Sequence, residues 1–483
     1  MNKTIYQQLH HWRYSLLFGI FVFLLSLFGV KPFIINTQIL AEAENFSIHI
    51  SPLRVLFEPI LGPILFYLRS YDPIPEFFVI FGWVSIGMFF AFVKRIFYKQ
   101  ISLISALGRW AVLSVLLSGL WLMIFIYMIS GPLPSNTIIN HDSGRILFNT
   151  HTHSHWSHDG LISPKQQMSW HKRNGYDAFF LTEHNHNKNT LRFVNEQKKG
   201  LLPKVPHIIA GIEFSGSNHM LLLGLKSPFI TFSLDDKPVI DSTHQDGGLV
   251  AVAHWFSDEH NSIQYYIDKG VDGFEIDNRN NVFSNNLRQQ IIELCRENNL
   301  FMLGSADYHG YGSAAHVWNG IKIPNWESLS HQEKTDSIIA HLKETRFNAN
   351  NVFRYIDRPV FKKWSIWASP FYSVITYFKG LIFIQVVSWF VWIVLFQLFK
   401  QKSYYRFLMN DKIHSLSALC FISSMGILVL GLSYLQKAKP LVGFNEQYQE
   451  FGLNFSILGI IIGFVSLSII WLNKKFSHVE LKN

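Results

Sequence analysis

The chain has 483 residues, of which 49% are apolar, with 43 Phe, 14 Trp, 2 Cys and a formal charge of +9. Two cysteines exclude a disulfide framework, because Cys420 falls in an apolar run and Cys295 in the polar middle of the chain. The positive charge could suggest nucleic acid or anionic lipid, but its placement in short segments beside apolar runs argues otherwise and reads as a topology signal; a nucleic acid or nucleotide partner stays open but is unsupported by any basic patch.

In chain order, the first apolar run covers residues 14–30, with Lys3 and Arg13 ahead of it. No small-residue cleavage site follows closely, so a retained anchor is expected rather than a signal peptide. Residues 52–68 are also apolar, but Pro59 and Pro63 break a helix there, which predicts an interfacial or re-entrant segment. Further runs lie at 77–93 and 110–129, then at 380–399, 416–435 and 453–472. Crossing the hydrocarbon takes about 20 apolar residues, ~17 at the least. Two groups of three spans are therefore expected. The domain plan is a membrane region over 1–134, a polar domain over 135–345, a linker over 346–379 and a second membrane region over 380–483. Trp364 and the Tyr and Trp residues after it, with Pro370 among them, predict an interfacial helix within the linker.

Lys94, Arg95, Lys99 and Arg109 follow the second run; Lys400, Lys402, Arg406 and Lys412 follow the fourth; Lys474, Lys475 and Lys482 lie in the tail. Short loops rich in Lys and Arg stay in the cytoplasm. A multi-pass protein with cytoplasmic termini and an extracytoplasmic central domain is expected, although Arg354, Arg358, Lys362, Lys363 and Lys379 run against that placement.

Inside the polar domain, short apolar runs at 146–148, 178–181, 207–212, 220–223, 249–253, 273–276 and 301–303 read as strands. Helix-like segments at 163–174 and 285–299 fall between them, and such alternation indicates parallel β/α architecture. Ligand-capable residues keep landing just after the strands. The first runs into His151 and His153, with Asp159 beyond; the second ends at Glu183-His184; the third ends at Glu213. His254 follows the fifth, and Asp307 and His309 follow the last. In a β/α barrel the C-terminal strand ends converge on one face, so residues scattered along the chain would meet in one cup. Imidazoles with carboxylates and no thiolate suit Zn, Mn or Fe rather than Ca or Mg. Eight such residues exceed the needs of one tetrahedral ion. Two or three divalent ions bridged by a carboxylate, Glu213 being central, predict metal-assisted hydrolysis by activated water.

The order HTHSHWSHDG, Thr-Glu-His, Gly-Ile-Glu, Ala-His and Gly-Ser-Ala-Asp-Tyr-His resembles the PHP (polymerase and histidinol phosphatase) family of metal-dependent phosphoesterases. The resemblance covers about 145–323 and implies an α/β fold, a distorted (β/α)7 barrel, inserted here between the two groups of transmembrane helices. It also implies a site of two or three ions, with His151, His153, Asp159, His184, Glu213, His254, Asp307 and His309 matching the ligands. Two departures stand out: Trp255 follows His254 where the family has Pro, and Glu183 stands where Asp is commoner.

The expected division gives one ion to His151, His153, Glu213 and Asp307 and a second to Asp159, His184 and His309, with His184 shared. His254 with His219 would hold a third or bind phosphate. Asp307 is the candidate to orient the attacking water or take its proton. His155, His158 and His186 read as residues lining the cup, Glu275 and Asn278 as supports or a plain strand end, and Arg279 and Lys322 as weak candidates for phosphate contact; His316 has no assigned role. The expected partner is a phosphoester, with membrane lipid around the spans; a lipid-linked substrate would explain six spans. A non-catalytic metal or ligand sensor signalling through the helices is the competing reading. A transporter is disfavoured, because ionisable residues at midplane are expected of one and the six runs hold none.

Overall fold

The computed structural model describes residues 3–29, 31–69, 73–98, 103–131, 133–255, 261–278, 285–311, 315–359, 364–401, 412–438 and 445–480. The first part runs α1 (Lys3–Leu27), β1 (Phe33–Asn36), β2 (Ala41–Glu42), β3 (Phe46–His49), α2 (Pro52–Leu56), α3 (Glu58–Tyr67), α4 (Pro73–Phe97) and α5 (Leu103–Ser130). The polar middle begins with β4 (Thr137–Asn140), β5 (Arg145–Asn149), α6 (Pro164–Arg173), β6 (Ala178–His184), α7 (Lys188–Lys198), β7 (His207–Ser215), β8 (His219–Leu223), α8 (Asp236–Gln245) and β9 (Leu249–Val252). It continues through α9 (Ile263–Lys269), β10 (Gly273–Asn278), α10 (Asn285–Glu297), β11 (Phe301–Ser305), β12 (Val317–Lys322), α11 (His331–Thr345) and β13 (Asn351–Ile356). Then follow α12 (Ser369–Gly380), α13 (Phe383–Gln401), α14 (Lys412–Lys437) and α15 (Glu446–Glu480).

Local signals set these elements. Ser163 caps α6 in a reciprocal box with Gln166, and Pro164 sits at the first helical position, where its missing N–H costs nothing. Strand β6 is buried along its whole length, as a strand covered on both faces must be. Period-2 alternation sorts the strand residues into two cores. Leu221, Ala251 and Leu303 pack with Ile338 and Leu342 of α11. Leu222, Val250 and Val252 face the other way, toward Val239 of α8, Tyr266 of α9 and Ile291 of α10.

The strands form one 11-stranded sheet in the order β11-β10-β9-β8-β7-β6-β5-β12-β13-β1-β2, and β3 pairs with β4 separately. The expected closed seven-stranded barrel does not form. Strands β5, β6 and β7 are parallel, as are β9, β10 and β11, but β8 lies antiparallel to both β7 and β9. The edge of β5 that closure onto β11 would need is taken by β12, which pairs with it antiparallel. Side chains bridge the seam instead. The Gly304 N–H donates to Asn319 Oδ1 at 2.8 Å, and Asn319 Nδ2 donates to the Gly304 carbonyl at 2.6 Å. Beyond the strand ends an isolated parallel bridge joins Thr152 to Tyr308.

The chain before the polar middle also enters the sheet. Strand β1 pairs with β13 in the register Phe33↔Ile356 to Asn36↔Phe353. Arg69, just past α3, reaches Asp357 at 2.6 Å, just past β13.

Among the described residues, three helical stretches are long and apolar enough to cross a membrane: Ala111–Met128, Ser415–Lys437 and Glu446–Trp471. Ser369–Gly380 and Phe383–Leu398 pass only as a pair bent by 111°, so the expected interfacial helix and fourth span form one broken unit. The first two expected spans correspond to shorter apolar helices, Trp12–Leu27 and Phe78–Ala91. Helices α14 and α15 pack closely at Gly431, where an added Cβ would stand 2.6 Å from Ser456 N, the close approach that small residues allow between apolar helices.

Candidate metal centre

The site is assembled where β5, β6, β7, β9 and β11 end. After β5, His151 and His153 alternate with Thr152, so both imidazoles share a face, and both are fully buried. In the β6–β7 register His184 lies beside Glu213. The reversal of β8 brings its first residue, His219, to the same rim, where it pairs with Ser215 at the end of β7. His254 and Asp307 follow their strands with φ of 28° and 44°. Left-handed backbone costs a non-glycine residue about 1–3 kcal/mol and gathers where a site over-determines the chain.

Glu213 is the hub. Its Oε2 lies 2.9 Å from His153 Nε2, 3.0 Å from His151 Nε2 and 3.3 Å from His184 Nε2. Its Oε1 lies 2.7 Å from His219 Nδ1 and 3.4 Å from His254 Nε2. Asp159 Oδ2 stands 2.9 Å from both His184 Nε2 and His309 Nε2. Asp307 Oδ1 is 3.3 Å from His151 Nε2 and 3.6 Å from His153 Nε2.

Ligand-capable atoms within 4.8 Å of one another define three overlapping groups: His153, Asp159, His184 and His309; His151, His153 and Asp307; His151, Glu213 and His254. The eight residues that follow strands thus come together. The division differs from the sequence expectation: the Asp159 group takes in His153, and His254 joins His151 and Glu213. His219 is outside the three groups; it reaches Glu213 through Nδ1 and sets its ring edge-on to those of His254 at 5.2 Å and His184 at 5.6 Å.

The imidazoles are held from behind. His151 turns Nδ1 to Glu275 Oε1 at 3.2 Å, His153 turns Nδ1 to Ser157 Oγ at 3.2 Å, and His309 turns Nδ1 to its neighbour Asp307's carbonyl at 3.0 Å. Their Nε2 atoms face the centre, and those of His151 and His153 are buried without a hydrogen bond. An outer partner on one ring nitrogen with the other aimed at a shared point is how ligating histidines are arranged. The donor set therefore fits divalent ions.

Electrostatics agree. Burial would raise the Glu213 carboxyl, but His151 and His184 beside it hold it well below the usual carboxylate range. Burial works likewise against the charged Asp307, and His151 and His309 overcome it. Burial opposes a charged His153, yet Asp159, Asp307 and Glu213 push it up to about 10. Buried carboxylates packed this tightly demand positive charge among them, from protonated imidazoles or from cations.

Other candidates fall in different places. Exposed His158 sets its ring 4.7 Å from that of His184, and His186 lies 6.3 Å from Phe232. Half-buried His155 pairs with Trp156 at 6.0 Å. Asn278 donates to Glu275 Oε2 at 3.2 Å, and Glu275 Oε2 accepts the His254 N–H at 2.9 Å, which makes both supports of the rim. Lys322 is a correction: it pairs with Arg145 at the start of β5, the end away from the histidines, and its Nζ lies 3.7 Å from Asp142. Arg279 lies outside the described residues. The His316 carbonyl accepts the Tyr355 N–H at 2.8 Å. Of the two departures, Glu183 accepts from the Ser154 N–H at 3.1 Å beneath the site, and Trp255 is buried in the outer core.

No family profile and no curated protein sequence matches the chain. Its structural neighbours include PHP-like metal-dependent phosphoesterases. One is a two-domain protein from Bacteroides vulgatus containing a predicted PHP-like metal-dependent phosphoesterase, similar at 20% identity and TM-score 0.31 over 40% of this chain and 62% of that one. Less than two thirds of that neighbour is therefore spanned. A candidate metal-dependent phosphoesterase from Bifidobacterium adolescentis is similar at 15% identity and TM-score 0.28, over 34% of this chain and 88% of its own. An amidohydrolase from Chromobacterium violaceum follows at 12% identity and TM-score 0.27, over 34% and 87%. Likeness at these scores carries no argument about chemistry, which rests on the side chains.

Proposed function

We propose that this chain is a membrane-anchored, metal-dependent phosphoesterase that hydrolyses a phosphate mono- or diester. The observation that carries the reading is the sharing of the buried His151 and His153 among three donor groups around Glu213. His151, His153, Asp159, His184, Glu213, His254, Asp307 and His309 would hold two or three divalent ions, of Mn, Zn or Fe by their donor chemistry. Such ions activate water and neutralise phosphate oxygens. The chain's own work is to orient and to move a proton. Glu275 and Ser157 fix the rings of His151 and His153, and Asp307 is the candidate to orient the attacking water or take its proton. His219, its side chain 40% exposed beside Glu213, would meet the incoming phosphate.

The substrate we infer is amphiphilic. Ile230, Phe232 and Leu234 are 64%, 59% and 43% exposed, on a segment that the Asn185 carbonyl ties to the rim through the Thr231 N–H at 2.9 Å. Exposed apolar side chains beside a charged cup suit a phosphate carried on an apolar body. The charge of the short loops further supports an extracytoplasmic site.

Full-length protein in detergent, loaded with Mn or Zn, should cleave p-nitrophenyl phosphate or its bis ester, and His151→Ala and Asp307→Ala should abolish the activity. Phosphatidic acid in mixed micelles should be turned over faster than short-chain phosphates, and Phe232→Ser should erase that preference. A fully metallated protein inert toward every phosphoester would sink the reading and leave the sensor.

A further inference from the structure

The loop that carries Asp159 has no secondary structure of its own, yet its backbone is held from both sides. From within, Glu183 accepts from the Ser154 N–H, and the Leu161 N–H donates to the His309 carbonyl at 2.7 Å. From outside, the holding group belongs to α15, the last apolar helix. Asn445, 2% exposed, immediately precedes that helix. Its Nδ2 donates to the carbonyls of Ser157 at 2.7 Å, Gly160 at 3.0 Å and His155 at 3.4 Å. Its Oδ1 accepts the Tyr448 N–H at 2.8 Å, the bond by which an Asn caps a helix. The next free helix donor, the Gln447 N–H, goes to the His158 carbonyl at 3.1 Å. Leu161 then buries itself with Met123 and Ile126 of α5, Tyr434 of α14 and Tyr448 of α15.

Four carbonyls of this loop, those of His155, Ser157, His158 and Gly160, are therefore held by the start of α15, and the residue the loop presents inward is Asp159, which meets His184 and His309. The loop has little slack, since a Cβ on Gly160 would stand 2.0 Å from the Ser154 carbonyl oxygen. We propose that the last apolar helix completes the metal centre: Asn445 is a positioning residue that sets the Asp159 loop for the group of His153, Asp159, His184 and His309. The inference rests on the metal-centre reading and deepens it, because it gives the helices a part in the site beyond anchoring. Among the described residues, the group of His151, Glu213 and His254 has no such tie to α15.

Two jobs of one side chain can be separated. Asn445→Ser keeps an oxygen to cap Tyr448 but loses the amide donors to the loop, whereas Asn445→Ala loses both. Metal affinity of full-length protein in detergent, read by chelator competition with Mn and by Co absorption spectra, is the measurement, and it needs no substrate. Asn445→Ser should weaken one ion by about 10–100-fold, the range for removing a group that orients ligands, while the other ion stays at parental affinity and stability falls less than in Asn445→Ala, which loses the cap as well. Asn445→Ala should show the same selective loss with lower stability. Parental affinity for every ion in Asn445→Ser overturns the proposal, as does equal weakening of all ions, which would mark a merely structural role. If the parent binds ions and the variant loses one while no phosphoester is cleaved, the positioning role stands and the phosphoesterase reading falls. A parent that binds no divalent ion overturns both.

Discussion

The Asn319 carboxamide faces the Gly304 peptide group in the manner of a neighbouring strand, accepting from its N–H at 2.8 Å and donating to its carbonyl at 2.6 Å. One side chain thereby supplies both rungs of a ladder that the backbone of β11 cannot make with β12. Asn319 is wholly buried and also receives Asn350 Nδ2 at 3.0 Å. Asn319→Ala takes a partner from the buried Gly304 N–H and from Asn350 Nδ2, each worth about 1–3 kcal/mol, and leaves the Gly304 carbonyl with Thr150 Oγ1 at 3.3 Å. The variant should lose about 3 kcal/mol of stability, seen as a lower unfolding temperature in detergent. An unchanged transition would mean that the seam is held by something else.

Glu213 is within 3.4 Å of five imidazoles. Glu213→Gln preserves its shape and removes the charge that those rings share. Metal affinity should fall by at least about 100-fold, the upper end for an outer partner, since Glu213 stands closer than one. Elemental analysis after dialysis should find less than the parental metal content. Full retention would exclude Glu213 from the centre.

Glu275 acts at one remove, through His151 Nδ1 and the His254 N–H. Glu275→Gln should weaken the ion nearest His151 and His254 by about 10–100-fold and leave the Asp159 group as it was. Metal titration of the variant beside Asn445→Ser tests this, because the two substitutions should spare opposite ions. Loss of the same ion in both would contradict the division of donors.

Much of this centre is legible in the sequence because ligands placed after strands reveal themselves by position: His151, His153, Glu213, His254, Asp307 and His309 all follow apolar runs. The direction of a strand is not legible, since alternation reads the same either way, and so the reversed β8 and the open sheet were hidden in a pattern that also fits a barrel. Phe33–Asn36 is four residues close behind an apolar run, too short to announce a strand whose partner is β13. Asn445 stands in no motif, and only its three carbonyl partners disclose its part. Glu275 looks like a strand terminus until the ring of His151 is found against it.

Away from the centre, burial with His331 and Lys334 nearby pushes the imidazole of His207 down from 6.5 to about 2. The folded state therefore keeps His207 neutral, whereas the unfolded chain protonates it. Stability from this group is full above pH 6.5 and is lost as pH falls from there toward 2, at about 1.4 kcal/mol per unit, or about 2 kcal/mol by pH 5. His207→Gln should flatten the fall in unfolding temperature between pH 7.5 and 5. Parallel pH profiles for the two proteins would refute the assignment.

The pairing of β1 with β13 imposes an order on biogenesis. A ribosome delivers Phe33–Asn36 early, and that segment waits while two more apolar helices and nearly all of the α/β unit emerge before Asn351–Ile356 arrives to receive it. Excising the middle at residues 135 and 345 would discard both strands and leave β12 with a bare, adhesive flank. The polar α/β portion is thus stitched by the sheet itself to the part that carries the first apolar helices, and the two should mature, or fail to mature, together.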